Sequence, residues 1–255
     1  MFLTIDGINT RYEVYGEGEP VLVLHGWGAS IEAVQSIANC ISALGKQAIC
    51  FDFPGFGQSE EPPVPWGVPE YAAFTRKFME AFSLYGVDVV CHSFGGRVTI
   101  LLASEDEKLF HRLLMIGAAG IRPRRTLKWY VRTYTYKLGK HLSKIDWIDD
   151  ILHLKEKQKT AGSEDYRALK SDLMRAVFVK TVNLDLTDRL PRIKNSTLLI
   201  WGDKDTSSPL YMGKLMEQRI PDAGLVIFEG AGHFAYADQY PRFCVVLKAF
   251  LLPHA

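Results

Sequence analysis

A mostly parallel α/β sheet interrupted by one helical insertion is the fold this sequence predicts, on three observations. Continuously apolar runs such as VLVLHG (21–26) and AICFDFPG (48–55) are what strands buried on both faces show. Such runs alternate with helix-period segments over the first 120 residues, the pattern of a parallel sheet with right-handed crossovers. The alternation stops between Ile121 and about Pro191, where helical and polar sequence holds no buried-strand run, and resumes afterwards.

Each element has its own signal. FLTIDG and INTRYEVYG read as a hairpin around Asp6-Gly7, and VLVLHG is the next strand. SIEAVQSIANCISALG (30–45) has helical periodicity, with Ser30 as N-cap and Gly45 as stop. AICFDFPG is a buried strand, followed by the Pro-rich loop EEPPVPWGVP and a helix over EYAAFTRKFMEAFSLYG (70–86). VDVVCHS (87–93) is a strand, FGGRVTILLASEDEK (94–108) a helix and LLMIGAAG (113–120) a strand. Beyond the interruption come the strand STLLIWGD (196–203), the helix MGKLMEQRI (212–220), the strand AGLVIFEG (223–230) and the helix YPRFCVVLKAFLL (240–252). The expected organisation is a core domain of residues 1–120 and 191–255 and a helical insertion of 121–190.

Bulk properties narrow the function. At 255 residues and 47% hydrophobic, the chain suits one domain with a sizeable insertion and a full core. Its net charge of +1 predicts no general attraction to nucleic acid. Cys40, Cys50, Cys91 and Cys244 share no metal-ligand spacing and read as buried free thiols in a reducing compartment. The N-terminal stretch lacks the basic start and apolar block of a signal peptide, and no apolar run reaches membrane-spanning length. A cytoplasmic protein is expected.

The chemistry is concentrated at strand ends. VVCHSFGGR (89–97) ends a strand at a serine and opens a helix with Gly95 and Gly96, as a strained serine turn requires. Cys91 stands where the first glycine of such a turn is usual, and its side chain is small enough to be accommodated. HGWG (25–28) follows an earlier strand. WGDKDTSSP (201–209) and GAGHFAYADQYP (230–241) place a carboxylate and a histidine on loops after later strands. The order Ser, acid, His, each at a strand end, is where active sites of open α/β sheets lie.

On these blocks the sequence resembles the α/β-hydrolase superfamily, in particular its cap-bearing serine hydrolases with HGxG, GxSxG, GxxD and GxGH motifs. The resemblance spans about residues 10 to 250, and DFPGFGQSE (52–60) matches the family's D-x-x-G-x-G-x-S loop, which shapes a turn. It implies a mostly parallel eight-stranded sheet with a helical cap entering after the sixth strand. It also implies Ser93 as nucleophile, His233 as base, Asp205 as the orienting acid, and the backbone N–H groups of Trp27 and Phe94 as the oxyanion hole. A serine hydroxyl needs an adjacent base of fixed tautomer to attack, and each oxyanion donor is worth roughly 3 kcal/mol in comparable hydrolases. No cofactor or metal is required by this chemistry.

Each assignment has a bland counterpart. Ser93 could be a helix N-cap, His233 a surface-loop residue, and Asp203 is the local competitor of Asp205. His25 and His92 adjoin required turns and read as structural, and Cys91 as a buried thiol with no base beside it. The insertion opens with eight basic residues (Arg122, Arg124, Arg125, Lys128, Arg132, Lys137, Lys140, Lys144) before its first acid, Asp146. That is a cap helix with a solvated basic face, or a face for anionic lipid or an acidic substrate end. Trp129, Tyr130, Tyr134 and Phe234 are pocket candidates. Leu127, Val131 and Leu138, if exposed together, would support a homodimer rather than a monomer.

The activity expected is cleavage of an ester, thioester or lactone of a small to medium apolar substrate through an acyl-enzyme. The serine at the elbow argues against the dehalogenases and epoxide hydrolases of this fold, which use an aspartate there. Carbon–carbon hydrolases share the serine but place tryptophan after the histidine, where this chain has Phe234. A ligand receptor with little turnover is the alternative outside catalysis.

Overall fold

The computed structural model describes residues 1–123, 134–135, 166, 168–169 and 171–252. Its strands are β1 (Phe2–Ile5), β2 (Ile8–Tyr15), β3 (Pro20–Leu24), β4 (Gln47–Phe51), β5 (Val87–His92), β6 (Phe110–Ile116), β7 (Ser196–Gly202) and β8 (Ala223–Phe228). They form one eight-stranded sheet in the order β1-β2-β4-β3-β5-β6-β7-β8. The β1–β2 and β2–β4 pairs are antiparallel, and every pair from β4 to β8 is parallel. This is the α/β-hydrolase sheet expected from the sequence.

Helices α1 (Ile31–Ala43), α2 (Val68–Ala81), α3 (Phe94–Glu105), α4 (Asp172–Asn183), α5 (Leu210–Arg219), α6 (Ala235–Asp238) and α7 (Tyr240–Leu251) accompany it, with a 3₁₀ helix at Thr187–Arg192. Every strand and helix expected outside 121–190 is present, and the short α6 is the one element there that periodicity did not reveal. Four residues are barely one turn, too few to show a period. The chain divides into two compact units, Met1–Arg122 with Ala176–Ala255, and Pro123–Arg175. Among the described residues no helix is long and apolar enough to cross a membrane.

Local chemistry accounts for the joints. Asp6 and Gly7 carry φ of 51° and 79°, closing the hairpin with Ile5 opposite Ile8, as a two-residue turn between right-twisted strands needs. Ser30 occupies the N-cap of α1, but its hydroxyl bonds Glu32 rather than capping the helix. The cap comes from Asp52, whose buried carboxylate takes the Ile31 N–H at 2.7 Å and the Gln58 N–H at 2.9 Å. A charged acceptor at a helix N-terminus outcompetes a hydroxyl because the end carries partial positive charge. Ser59 Oγ donates to the Asp52 carbonyl at 2.7 Å, so the DFPGFGQSE loop is tied down by its own polar residues.

The topology selects the site. The chain steps from β3 to β4 on one side, then to β5 on the other, so the loops after β3 and β5 diverge. Such a switch point leaves a crevice at the carboxyl ends of the strands. HGWG and Ser93 follow those two strands.

Candidate active site

Ser93 sits between β5 and α3 at φ 48° and ψ −105°, a conformation costly for any residue with a Cβ. Its surroundings over-determine it. The Ser93 N–H donates to Ile116 O at 3.0 Å, and the Ser93 carbonyl accepts N–H groups from Gly96 and Ala119 at 2.9 Å each. The glycines exist for close approach: a Cβ on Gly95 would lie 2.8 Å from Leu24 O, and one on Gly96 2.5 Å from Ala118 Cβ. Gly26 likewise brings the HGWG loop down on the serine, its own Cβ position being 3.3 Å from Ser93 Cβ.

Cys91 fits this turn. Its side chain is fully buried in β5 and meets Thr99 of α3, and burial pushes its thiol up to about 12. A thiol so far above neutrality is no nucleophile. Cys91→Gly is expected to keep kcat/KM within a few-fold of the parent and to lose about 1–2 kcal/mol of stability in denaturant titration, since it deletes a buried side chain from a strand. A collapse of activity without unfolding would show that the position takes part in more than packing.

Asp205 and His233 are brought together as the sequence suggested. His233 Nδ1 lies 2.7 Å from Asp205 Oδ2, with the carboxylate side chain wholly buried and the imidazole 15% exposed. The other carboxylate oxygen, Oδ1, accepts the N–H groups of Ser207 and Ser208, both at 2.8 Å. The loops meet because Gly202 has no side chain: a Cβ there would be 2.2 Å from Gly232 O. Asp203, the competitor, faces away from this pair, its carboxylate accepting the Gly230 N–H at 2.6 Å and pairing with Lys204. Gly117, at φ 49° after β6, is a contributor that the sequence reading passed over. A Cβ on it would come within 3.2 Å of both Asp205 Oδ2 and His233 Nδ1. The glycine in MIGAAG was the available signal.

Ser93 and His233 are neighbours through His92, whose ring centroid is 4.7 Å from that of His233. No hydrogen bond joins the Ser93 hydroxyl to His233 in this structure. Such bonds are often long in enzymes without substrate and tighten when it binds. No described residue accepts a hydrogen bond from the backbone N–H of Trp27 or of Phe94. The Trp27 and Phe94 rings meet edge-to-face at 5.5 Å, in an aromatic group with Phe56 and with Phe178 of α4. Phe234 is half-exposed at the start of α6, 5.5 Å ring to ring from His233. Tyr134 is exposed, whereas Trp129, Tyr130, Leu127, Val131, Leu138 and most of the basic run lie outside the described residues. Among the described residues no cluster of three or more His, Cys, Asp or Glu side chains could hold a metal.

His25 is structural, as expected. The Phe53 N–H donates to its Nε2 at 2.9 Å, so Nδ1 carries the proton and donates to Gly26 O at 2.7 Å. Burial lowers the pKa of His25, and burial, then the neighbouring His233, lowers that of His92 to about 3. Both are therefore neutral in the fold, while in the unfolded chain they titrate near 6.5. Below that pH the unfolded chain binds more protons, so stability falls as pH drops from about 6.5 toward 3 and is fully present above 6.5. The expected result is a lower guanidinium midpoint at about pH 5 than at about pH 7, with a shallower decline in His92→Phe. Equal slopes in parent and variant would mean that His92 titrates normally in the fold.

A sheet of this order, with a strained serine after β5 and an acid–histidine pair on the loops after β7 and β8, defines a class. Residues 19–240 match the family described as alpha/beta hydrolase fold, and the chain belongs to it. An uncharacterized protein of Mycobacterium tuberculosis is 24% identical over 98% of this chain and 80% of its own length. A 2-hydroxy-6-oxo-2,4-heptadienoate hydrolase of Pseudomonas putida is 25% identical over 96% of this chain and 93% of that one. Among solved structures, an esterase (EaEST) from Exiguobacterium antarcticum superposes with a TM-score of 0.75, 23% identity, and 98% of each chain covered, a likeness of fold.

Proposed function

We propose that this chain is a serine hydrolase that cleaves the ester, thioester or lactone bond of a small to medium apolar substrate. The observation that carries the reading is the 2.7 Å pair of His233 Nδ1 and buried Asp205, set on loops beside the strained Ser93. In this mechanism Asp205 keeps the proton of His233 on Nδ1, so Nε2 presents a lone pair. As Ser93 Oγ attacks the substrate carbonyl, His233 Nε2 takes its proton. The backbone N–H groups of Trp27 and Phe94 receive the oxyanion, and Phe94, first in α3, adds the positive end of the helix. The leaving group departs with the proton from His233. Water, deprotonated by the same imidazole, then releases the acid from Ser93.

The aromatic group of Trp27, Phe56, Phe94 and Phe178 beside these donors supports an apolar acyl group. In this reading the cap is the insertion expected at 121–190, of which Ala176 onward groups with the core unit; Phe234 is the pocket candidate on the core.

A second reading has its own support. The hydrolase of Pseudomonas putida named above acts, by its name, on an oxo-dienoate, and it matches nearly the whole chain. Cleavage of a carbon–carbon bond would use the same serine and base. A series of p-nitrophenyl esters from acetate to dodecanoate, run beside labelling by an active-site phosphonate, separates the readings. Ester turnover with the label on the Ser93 peptide is the expected result, and the chain-length optimum sizes the acyl pocket. Labelling without ester turnover favours carbon–carbon cleavage, and no labelling of folded protein favours a ligand receptor.

A further inference from the structure

The residue before the nucleophile has no part in that mechanism, yet its ring packs against the base loop. His92 ends β5, is 1% exposed, and packs its imidazole against Phe234 at 4.9 Å and Tyr236 at 5.3 Å, besides His233. Its Nε2 lies 3.1 Å from the backbone carbonyl oxygen of His233. A carbonyl only accepts, so Nε2 carries the proton and Nδ1 is a bare lone pair. Nδ1 is buried without a hydrogen-bond partner and is flush against Gly26, whose Cβ position would be 2.9 Å away. The ring is thus wedged between the loop that supplies the Trp27 N–H and the loop that supplies the base.

This arrangement is poor as packing. A buried acceptor without a partner costs stability, and phenylalanine would fill the same slot without that cost. What histidine provides here and phenylalanine does not is one N–H aimed at the main chain of His233. We propose that His92 is a positioning residue: its neutral imidazole holds the His233 backbone through Nε2–H and so fixes the distance between base and nucleophile. The proposal rests on the reading of Ser93 and His233 given above. Ser93 is the next residue in the chain, so the bond ties the nucleophile's strand directly to the base's loop. The titratable groups facing His92 are His233, Asp205, His25 and Tyr236. Burial keeps His92 uncharged among them, so it adds no positive charge to oppose the imidazolium that His233 becomes.

The test compares His92→Phe, which keeps a ring and loses the donor, with His92→Gln, whose side-chain amide can put an N–H where Nε2 was. His92→Phe is expected to lower kcat about tenfold with KM nearly unchanged and no loss of melting temperature near neutral pH, and His92→Gln to recover most of that loss. Parent-like kcat in His92→Phe, or a Gln variant no better than Phe, overturns the proposal. If His92→Phe does not fold, His92→Gln is compared with His92→Asn, which is too short to reach. Equal kcat in those two overturns it as well. Ser93→Ala, measured alongside, keeps the two questions apart: activity surviving in that variant sinks the triad itself, whatever the His92 variants do.

Discussion

Ser93→Ala is expected to lower kcat/KM on the best p-nitrophenyl ester by at least roughly 10⁴-fold while leaving the fold intact. Alanine keeps a Cβ, so it inherits the same demanding backbone at φ 48° and changes nothing in the Ile116, Gly96 and Ala119 hydrogen bonds that hold it. Only the hydroxyl is lost. What remains is the oxyanion hole and substrate binding, which in comparable enzymes retain roughly 10³–10⁴-fold over water. A variant with unchanged thermal melting and unmeasurable turnover is therefore the outcome to look for. Retention of more than about a tenth of parent activity would remove Ser93 from the mechanism.

Asp205→Asn is expected to cost a comparable factor, roughly 10⁴ in kcat, and for a reason visible in the hydrogen bonds. Oδ1 of Asp205 accepts the N–H groups of both Ser207 and Ser208, so an asparagine must keep its carbonyl oxygen on that side. Its NH₂ group then faces His233 Nδ1, 2.7 Å from the atom it replaces. Two donors cannot share that bond. His233 would move its proton to Nε2 and present N–H, not a lone pair, to the serine. The protein should stay folded, because every backbone bond to residue 205 survives, and the loss should appear in kcat. Asp203→Asn is the companion. It keeps an acceptor for the Gly230 N–H and touches neither imidazole, so near-parent activity is expected. Reversal of the two results, with Asp203→Asn inactive and Asp205→Asn active, would exchange the roles assigned to these carboxylates.

Much of the fold was legible because a parallel sheet buried on both faces writes itself as continuous apolar runs. VLVL, AICF, LLMI and STLLIW need no partner sequence to be read as strands, and the helices between them carry their own period. The order of serine, acid and histidine was legible for the same reason, since each follows such a run. Other features were not. The helix cap from Asp52 to Ile31 joins residues 21 positions apart, and no local pattern distinguishes it from the hydroxyl of Ser30. Residues 124–133, which include Trp129 and Tyr130, stay an expectation from sequence, as they lie outside the described residues.

By itself, then, the sequence determined the elements, their alternation and the strand ends on which Ser93, Asp205 and His233 stand, because those depend on periodicity and turn chemistry within a few residues. Which of two neighbouring carboxylates meets the histidine was decided only in three dimensions. Asp203 and Asp205 lie on one loop, and the bare Cα of Gly202 lets the 230–233 loop settle so that Asp205 reaches His233 while Asp203 binds Gly230. The tertiary structure also placed the ring of His92 against that of His233 and left room for the acid–histidine pair beside Gly117. Those contacts join residues as much as 141 positions apart, and only the packing of one strand end against the next brings them within reach.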